Sequence, residues 1–391
     1  MSSLIGVGGY GSVYQSDNDT VIKRVKLIDY EYENEPEVEY TTLRELAFLN
    51  LIKHPNIVKK ISQSINEKYN DMVDIKLENA GISLTEWAGK TSYQKRGQLL
   101  PLISFQVLKA LYYLEVNNIV HGDLKPSNIL INPQNNHVTV IDFGGVCFSP
   151  SETDSVLWCS TSGFRPPEHL KKSGQQYIVN TKNDIFSFAL TMFSFYFNKF
   201  PKQKYIPNEK YDLLHSFDKN INDLCYLKDI NILKILYKCL SIQNSKRPLA
   251  STLYHCKYFR KYRSKDEFKY EPVGIELPST NHMYELNKEY NSICKEHIKD
   301  VIEYLNIHFV YYQSMLLLDK LLLTIDFSEY DKNMLKYISV GCVQITYLLL
   351  NNSRKTKDEL FYNYDDYNVY FIDAMEEILP LINFDTYVKI I

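Results

Sequence analysis

The sequence has no C-x-x-C pair and no metal-ligand spacing, although it carries seven cysteines. An odd, scattered set argues against a disulfide framework and points to reduced thiols in an intracellular protein. It also lacks a charge of one sign. Lys and Arg number 44 against 47 Asp and Glu, a formal net charge of −3, so no general polyanion-binding surface is expected and no nucleic-acid partner. Met1 to Gly9 holds neither a basic segment nor a long apolar run. The most apolar stretch, Met315 to Ile325, is broken by Asp319 and Lys320. Neither a signal peptide nor a membrane span is expected. Internal repeats are absent and Trp is scarce. Tyr, at 32 residues, is abundant alongside Asn, Ile and Lys, a bias typical of AT-rich coding DNA that says little about function.

At 391 residues the chain exceeds one ordinary core and suggests two or three domains. Its first eighty residues read as short strands around one helix. Leu4 to Tyr14 alternates around glycines, Thr20 to Lys26 and Met72 to Leu77 are strand-like, and Thr41 to Ile52 has apolar residues at helical spacing. From Leu99 onward helical patterns dominate, as in Leu99 to Leu114 and Ile185 to Phe197. The charged stretch from Arg260 to about His282, with Pro272, Gly274, Pro278 and Ser279, reads as a linker. Beyond it, Tyr284 to Ile391 is helical in pattern. The expected architecture is α+β. A β-rich small lobe and an α-rich large lobe fill residues 1–259, residues 260–283 link, and an all-α domain fills 284–391.

Gly6-Val7-Gly8-Gly9-Tyr10-Gly11-Ser12-Val13 has the form G-x-G-x-x-G-x-V. Glycines let a backbone approach phosphates closely and donate N–H bonds to them. The same spacing opens dinucleotide folds and also arises by chance; here a strand follows rather than a helix, which argues against the dinucleotide fold. Lys23 lies on that strand. A lysine in isolation is usually a solvated surface residue. To hold α- and β-phosphates, Lys23 needs a buried carboxylate, and Glu45 on the following helix offers one, with Leu46 and Leu49 toward the core.

The decisive segment is Val120-His121-Gly122-Asp123-Leu124-Lys125-Pro126-Ser127-Asn128-Ile129-Leu130. Phosphoryl transfer to an alcohol needs a carboxylate that orients the hydroxyl and accepts its proton, a cation for the developing charge, and a ligand for Mg²⁺. Asp123, Lys125 and Asn128 match those roles in order. Further on, Ile141-Asp142-Phe143-Gly144 supplies a second Mg²⁺ carboxylate in Asp142. One such tripeptide would mean little; four motifs in this order and at workable separations leave chance a small share.

On these residues, 4–259 resemble a eukaryotic-type protein kinase domain. Pro166-Pro167-Glu168 stands where that family has A-P-E. Asp184 matches the aspartate that holds the catalytic loop, and Arg247 the arginine that pairs with the A-P-E glutamate. The resemblance implies a bilobal fold with Mg-ATP in the cleft, contacted by Ile5, Gly6, Val7, Gly8, Gly9, Tyr10, Gly11, Ser12, Val13, Lys23 and Glu45. Leu77 would be the gatekeeper, and Glu78 to Ala80 the hinge that reads adenine. Lys125 and Thr161 resemble Ser/Thr rather than tyrosine kinases. Gly8 to Gly11, Tyr40 to Glu45 and Phe164 to Glu168 resemble the cyclin-dependent branch, although the insertion usual in that branch is short between Gln203 and Asp229. The arginine that usually precedes the catalytic aspartate is Gly122 here, so the usual reader of a phosphorylated activation loop is missing.

By pattern alone, residues 284–391 read as a helical bundle or dimer module. Ile298 to Ile302, Met315 to Leu322, Met334 to Gly341 and Met375 to Asp385 resemble helices of a cyclin box. Glu376 stands where cyclins keep a glutamate that contacts the kinase, while Val301 replaces the tryptophan of their substrate-docking patch. The resemblance implies a Ser/Thr kinase that acts on protein substrates and carries its own activator in intramolecular contact. Two alternatives stay open: an active kinase whose C-terminal domain docks substrate or partner, and a non-catalytic scaffold with the kinase fold. The expected location is cytoplasm or nucleus, of a host cell if the source is viral.

Overall fold

The computed structural model describes residues 3–8, 11–26, 28–29, 37–38, 40–66, 72–149, 151–153, 161–170, 177–202, 212–224, 227, 229–263 and 288–305, with Ser314, Leu318, 335–336 and 338–343 beyond them. The chain divides into two compact units. The first joins Met1–Leu51, Lys60–Leu77 and Val273–Ile391; the second joins Ile52–Lys59 and Glu78–Pro272.

In the first unit, β1 (Leu4–Gly8), β2 (Gly11–Gln15) and β3 (Thr20–Lys26) form consecutive antiparallel neighbours. The two-residue strands β4 (Ile28–Asp29) and β5 (Glu37–Val38) pair with each other and lead into α1 (Tyr40–Leu51). With β6 (Lys60–Ile65) and β7 (Met72–Glu78) the main sheet has the order β1-β2-β3-β7-β6. β7 alternates between buried Val73, Ile75 and Leu77 and half-buried polar neighbours, the period-two signature of a strand with one covered face. The Arg24 fork meets Asp74 at 2.6 and 2.9 Å and so fastens β3 to β7, while Asn66 adds a third bond to the same carboxylate. Helix α1 buries Leu46, Phe48 and Leu49, and near its start the Thr42 hydroxyl donates to the Lys26 carbonyl at 2.6 Å.

The C-terminal helix Lys288–Leu305 belongs to this first unit. It buries Cys294, Ile298, Val301 and Ile302, which fall on one face at helical spacing. The Cys294 thiol donates to the Leu335 carbonyl at 3.6 Å, joining this helix to the helical residues 335–336 and 338–343. The expected helices at Met315–Leu322 and Met375–Asp385 lie largely or wholly outside the described residues, as do Gly9, Tyr10 and Glu376.

The second unit is mainly helical. After β8 (Ile82–Ser83) and α2 (Leu84–Gly89) comes the long α3 (Tyr93–Val116). The pattern beginning at Leu99 marks only its later part. Ser92 caps the helix by accepting from the Lys95 N–H, and Pro101 lies inside it. Proline forfeits one helical bond, but the run of buried residues from Arg96 to Leu114 outweighs that loss. Strands β9 (Ile119–Val120), β10 (Ile129–Ile131), β11 (Val138–Val140) and β12 (Cys147–Phe148) frame the catalytic-loop segment. β10 pairs with both β8 and β11, and β12 pairs with β9. Then β13 (Ser151–Thr153) pairs with β14 (Tyr177–Val179) just before α4 (Thr181–Phe197), which is buried from Asn183 to its end. The shorter α5 (Leu213–Ser216), α6 (Ile230–Cys239) and α7 (Ala250–His255) follow.

Order in this unit continues past residue 259. Lys257–Tyr262 forms a 3-10 helix, and Phe259 and Tyr262 pack on Phe105 with ring centroids 5.7 and 5.6 Å away. The first residues of the stretch read as a linker are therefore part of the packed unit.

Candidate active site

The first unit holds the glycine motif and the Lys23–Glu45 ion pair. β1 and β2 carry the motif's described residues in the register Gly8↔Gly11, and the register Val13↔Lys23 sets Lys23 across from the motif's last valine. Lys23 Nζ lies 2.6 Å from both Glu45 oxygens, and both side chains are largely buried, 12% and 3% exposed. The carboxylate expected from α1 is thus the lysine's partner. The loop's glycines are not equivalent. A Cβ on Gly6 would meet nothing, whereas Gly11, at φ 145°, would drive one into the Arg24 carbonyl. Gly11 is therefore required by strand packing, whatever its role toward phosphate.

The second unit holds Asp123, Lys125, Asn128 and Asp142. Between β9 and β10 the chain turns through Gly122 at φ 83°, and Asp184 of α4 grips the turn by accepting the N–H groups of His121 at 2.7 Å and Gly122 at 3.0 Å. Burial pushes the Asp184 carboxyl above its usual range, opposed by His121 and these two N–H bonds. The His121 ring accepts the Asp123 N–H on Nδ1 at 3.2 Å, leaving Nε2 to donate to the Ile141 carbonyl at 3.0 Å. His121 thereby links the two candidate motifs.

Asp123 is the hub. Lys125 Nζ lies 2.5 Å from its Oδ2, and the same ammonium donates to Thr161 Oγ1 at 2.7 Å. The Thr161 N–H donates to Asp123 Oδ1 at 2.7 Å. Asn128 Nδ2 donates to the Asp123 carbonyl at 2.9 Å and to Oδ2 at 3.2 Å. With its nitrogen committed there, the amide has its oxygen left to serve a cation. The Asn128 carbonyl also accepts the Ile141 N–H at 2.9 Å, which sets Asn128 beside the segment bearing Asp142. Asp142 is held at φ 67°, and the next side chain, Phe143, is fully buried with its ring 5.0 Å from that of His121. A carboxylate and an amide oxygen are hard donors suited to Mg²⁺, which takes one or two protein ligands together with phosphate oxygens.

Glu78 and Ala80 belong to the second unit, at the start of its longer segment Glu78–Pro272. The Glu78 N–H donates to the Lys59 carbonyl at 3.1 Å, and its carboxylate accepts the Lys59 N–H at 2.9 Å. Leu77, just before them, is buried. Sequence reasoning left four partners unassigned: the His121 ring, the Thr161 N–H, and the asparagines Asn183 and Asn244, which join Arg247 on Glu168. His121 could have been found by its place before Gly122-Asp123. The other bonds depend on where distant chain segments return.

This chain belongs to the protein kinase domain family, whose model matches residues 1–259. It is 25% identical over 269 residues to the probable serine/threonine-protein kinase mkcF of Dictyostelium discoideum, covering 68% of this chain and 37% of that protein. It is 22% identical over 283 residues to an Aurora kinase of the same organism, covering 71% and 70%. A cyclin-dependent kinase 1 of Encephalitozoon cuniculi is 33% identical over 198 residues, covering 48% of this chain and 63% of the relative. The chain thus spans well under half the length of mkcF and most of the length of the Aurora kinase.

Proposed function

We propose that the protein is a serine/threonine protein kinase that transfers the γ-phosphate of Mg-ATP to hydroxyl groups of protein substrates. The observation that carries this is the Asp123 hub, which Lys125, Asn128 and Thr161 hold from three sides. Bound Mg-ATP would supply the phosphoryl group and the counter-charge for its transfer. Asn128 and Asp142 would be the oxygen ligands for Mg²⁺, and Lys23, steadied by Glu45, would be the cation for the α- and β-phosphates. Asp123 orients the acceptor hydroxyl and takes its proton, while Lys125 offsets charge on the moving phosphoryl. Asp123→Asn should lower turnover by about 100-fold or more, with ATP affinity little changed. Near-wild-type phosphorylation of a protein by this variant would remove the role.

We further infer that residues 284–391 act on the kinase unit in cis in the manner of a cyclin box, within a cyclin-dependent-like branch. Support comes from the grouping of the chain beyond Val273 in one compact unit with the main sheet and α1, the element that carries Glu45. The tether would give an effective concentration on the order of millimolar, so a moderate contact suffices. The test compares full-length protein with residues 1–263, a cut that spares Phe259 and Tyr262. The shorter chain should bind ATP yet phosphorylate poorly, and adding 284–391 in trans should restore activity only at high concentration. In the intact chain, Glu376→Arg should reproduce part of the loss. Full specific activity of residues 1–263 would turn the C-terminal domain into a docking module for another protein.

A further inference from the structure

Three residues make one turn of a 3-10 helix, so positions i and i+3 stack in a column with a rise of about 6 Å between them. The 3-10 helix Lys257–Tyr262 therefore sorts into columns. Phe259 and Tyr262 form the inner one, packed on Phe105 of α3, and Phe259 is wholly buried. Tyr258 and Lys261 form the second. The Tyr258 hydroxyl donates to Asp229, the residue that caps α6, at 2.7 Å. The Lys261 ammonium lies 5.2 Å from the centre of the Tyr258 ring and 5.0 Å from that of Tyr262. Lys257 and Arg260 form the third column, and both are exposed, as is Lys261.

Like charges side by side on a helix repel one another, and a nearby acid usually offsets the cost. Lys257, Arg260 and Lys261 are all described residues, and none of them forms an ion pair. Asp229 is engaged by the Tyr258 hydroxyl and the Asn231 N–H. The aromatic column meanwhile fixes the backbone, so the cations stand in a set row and little order has to be gained on binding. The chain also carries a complementary row. Asp29, Glu31, Glu33, Glu35, Glu37 and Glu39 place a carboxylate at every second position. Ile28–Asp29 and Glu37–Val38 are strands, while residues 30–36 and 39 lie outside the described ones. In an extended chain every second residue returns to the same side after about 6.7 Å, close to the rise of about 6 Å between Lys257 and Arg260. Successive carboxylates of such a run, laid along the helix, meet both cations. A nucleic-acid backbone is also a row of anions, but the spacing match and the net charge of −3 favour the chain's own run.

We infer that Lys257 and Arg260, with Lys261 beside them, dock the acidic run at 29–39 of a second copy of this chain, so that two copies associate by reciprocal charge contact. A two-fold pair makes such a contact twice. The experiment is sedimentation velocity on the full chain over a concentration series, at low salt and in about 1 M NaCl, where charges are screened beyond about 3 Å. Wild type should dimerise at low salt and dissociate at high salt. Lys257→Glu/Arg260→Glu and Glu33→Lys/Glu35→Lys should each weaken self-association by at least about tenfold, because like charges then face each other. An equimolar mixture of the two variants should dimerise again, since each supplies the charge that the other has reversed; misfolded variants could not be rescued in this way. A monomeric wild type, a dimer that survives in high salt or in either variant alone, or a mixture that stays monomeric overturns the inference. Capture of a single-stranded oligonucleotide by a monomeric wild type, lost in Lys257→Glu/Arg260→Glu, overturns it as well and gives the row to nucleic acid.

Discussion

Arg247 and Glu168, 79 residues apart in the chain, meet as a parallel fork, with Nη1–Oε1 and Nη2–Oε2 both at 2.6 Å. Arg247 is 2% exposed and lies over the Phe186 ring at 4.9 Å. Burial alone would raise the Glu168 carboxyl, but the Arg247 hydrogen bonds and charge hold it below its usual range. Removing Arg247 leaves the largely buried Glu168 carboxylate without its cation. Arg247→Ala should cost about 3 kcal/mol of stability, read as a drop in the urea midpoint. Arg247→Lys should lose part of this, because an ammonium cannot make the fork. An unchanged midpoint in both variants would mean that the pair does not secure the second unit.

Lys23 and Glu45 should act as one unit in function. Lys23→Met and Glu45→Ala each break the same 2.6 Å contact, so the second change should add little to the first. A double-mutant cycle on kcat/KM should give a coupling of about 1–3 kcal/mol. Additive losses would dissolve the pairing as a functional element, whatever its geometry.

His54 supplies a pH dependence of stability. Burial pushes its imidazole from 6.5 down to about 3, with Lys109 and His137 adding repulsion, and its Nδ1 accepts the Asn56 N–H at 3.0 Å. The folded chain keeps this ring neutral while the unfolded chain takes up a proton below 6.5. The contribution is therefore complete above that pH and is lost as pH falls toward 3, by about 2 kcal/mol at pH 5. Melting temperatures measured from pH 7 to pH 5 should fall less steeply for His54→Asn than for wild type. Parallel slopes would assign the acid sensitivity to other groups.

Activity should not require a phosphate on the activation segment. Gly122 offers no cation to read one. Among the described residues around the segment, Thr161 bonds to Asp123 and Lys125, and Ser151–Thr153 pairs with β14. Enzyme treated with phosphatase, and verified by mass spectrometry to be bare over residues 149–162, should keep its activity. A tenfold loss or more would show that a phosphate is read by some other group.

Periodicity located the elements better than their ends. The helix read at Thr41 to Ile52 spans Tyr40–Leu51, and Thr20–Lys26 is a strand as read. The start of α3 lies six residues before the pattern read from Leu99, because its first turn, Tyr93-Gln94-Lys95-Arg96, is polar and charged and the helix is begun by the Ser92 cap rather than by an apolar repeat.

The candidate catalytic residues stand out in the sequence for a chemical reason. Moving a phosphoryl group demands an acid, a cation, an amide and a second carboxylate at spacings a short loop can present, and such a set is rare by chance. Lys23 and Glu45 could be matched because each needs the other's charge. Tertiary structure alone decided that Thr161 donates to Asp123 and that Asn183 and Asn244 reinforce Glu168. These partners sit tens of residues apart, and local pattern does not encode where a folded chain returns. Their meeting is set by helix ends, caps and packing, above all those of α4, which near its start holds the catalytic turn through Asp184 and meets Glu168 through Asn183.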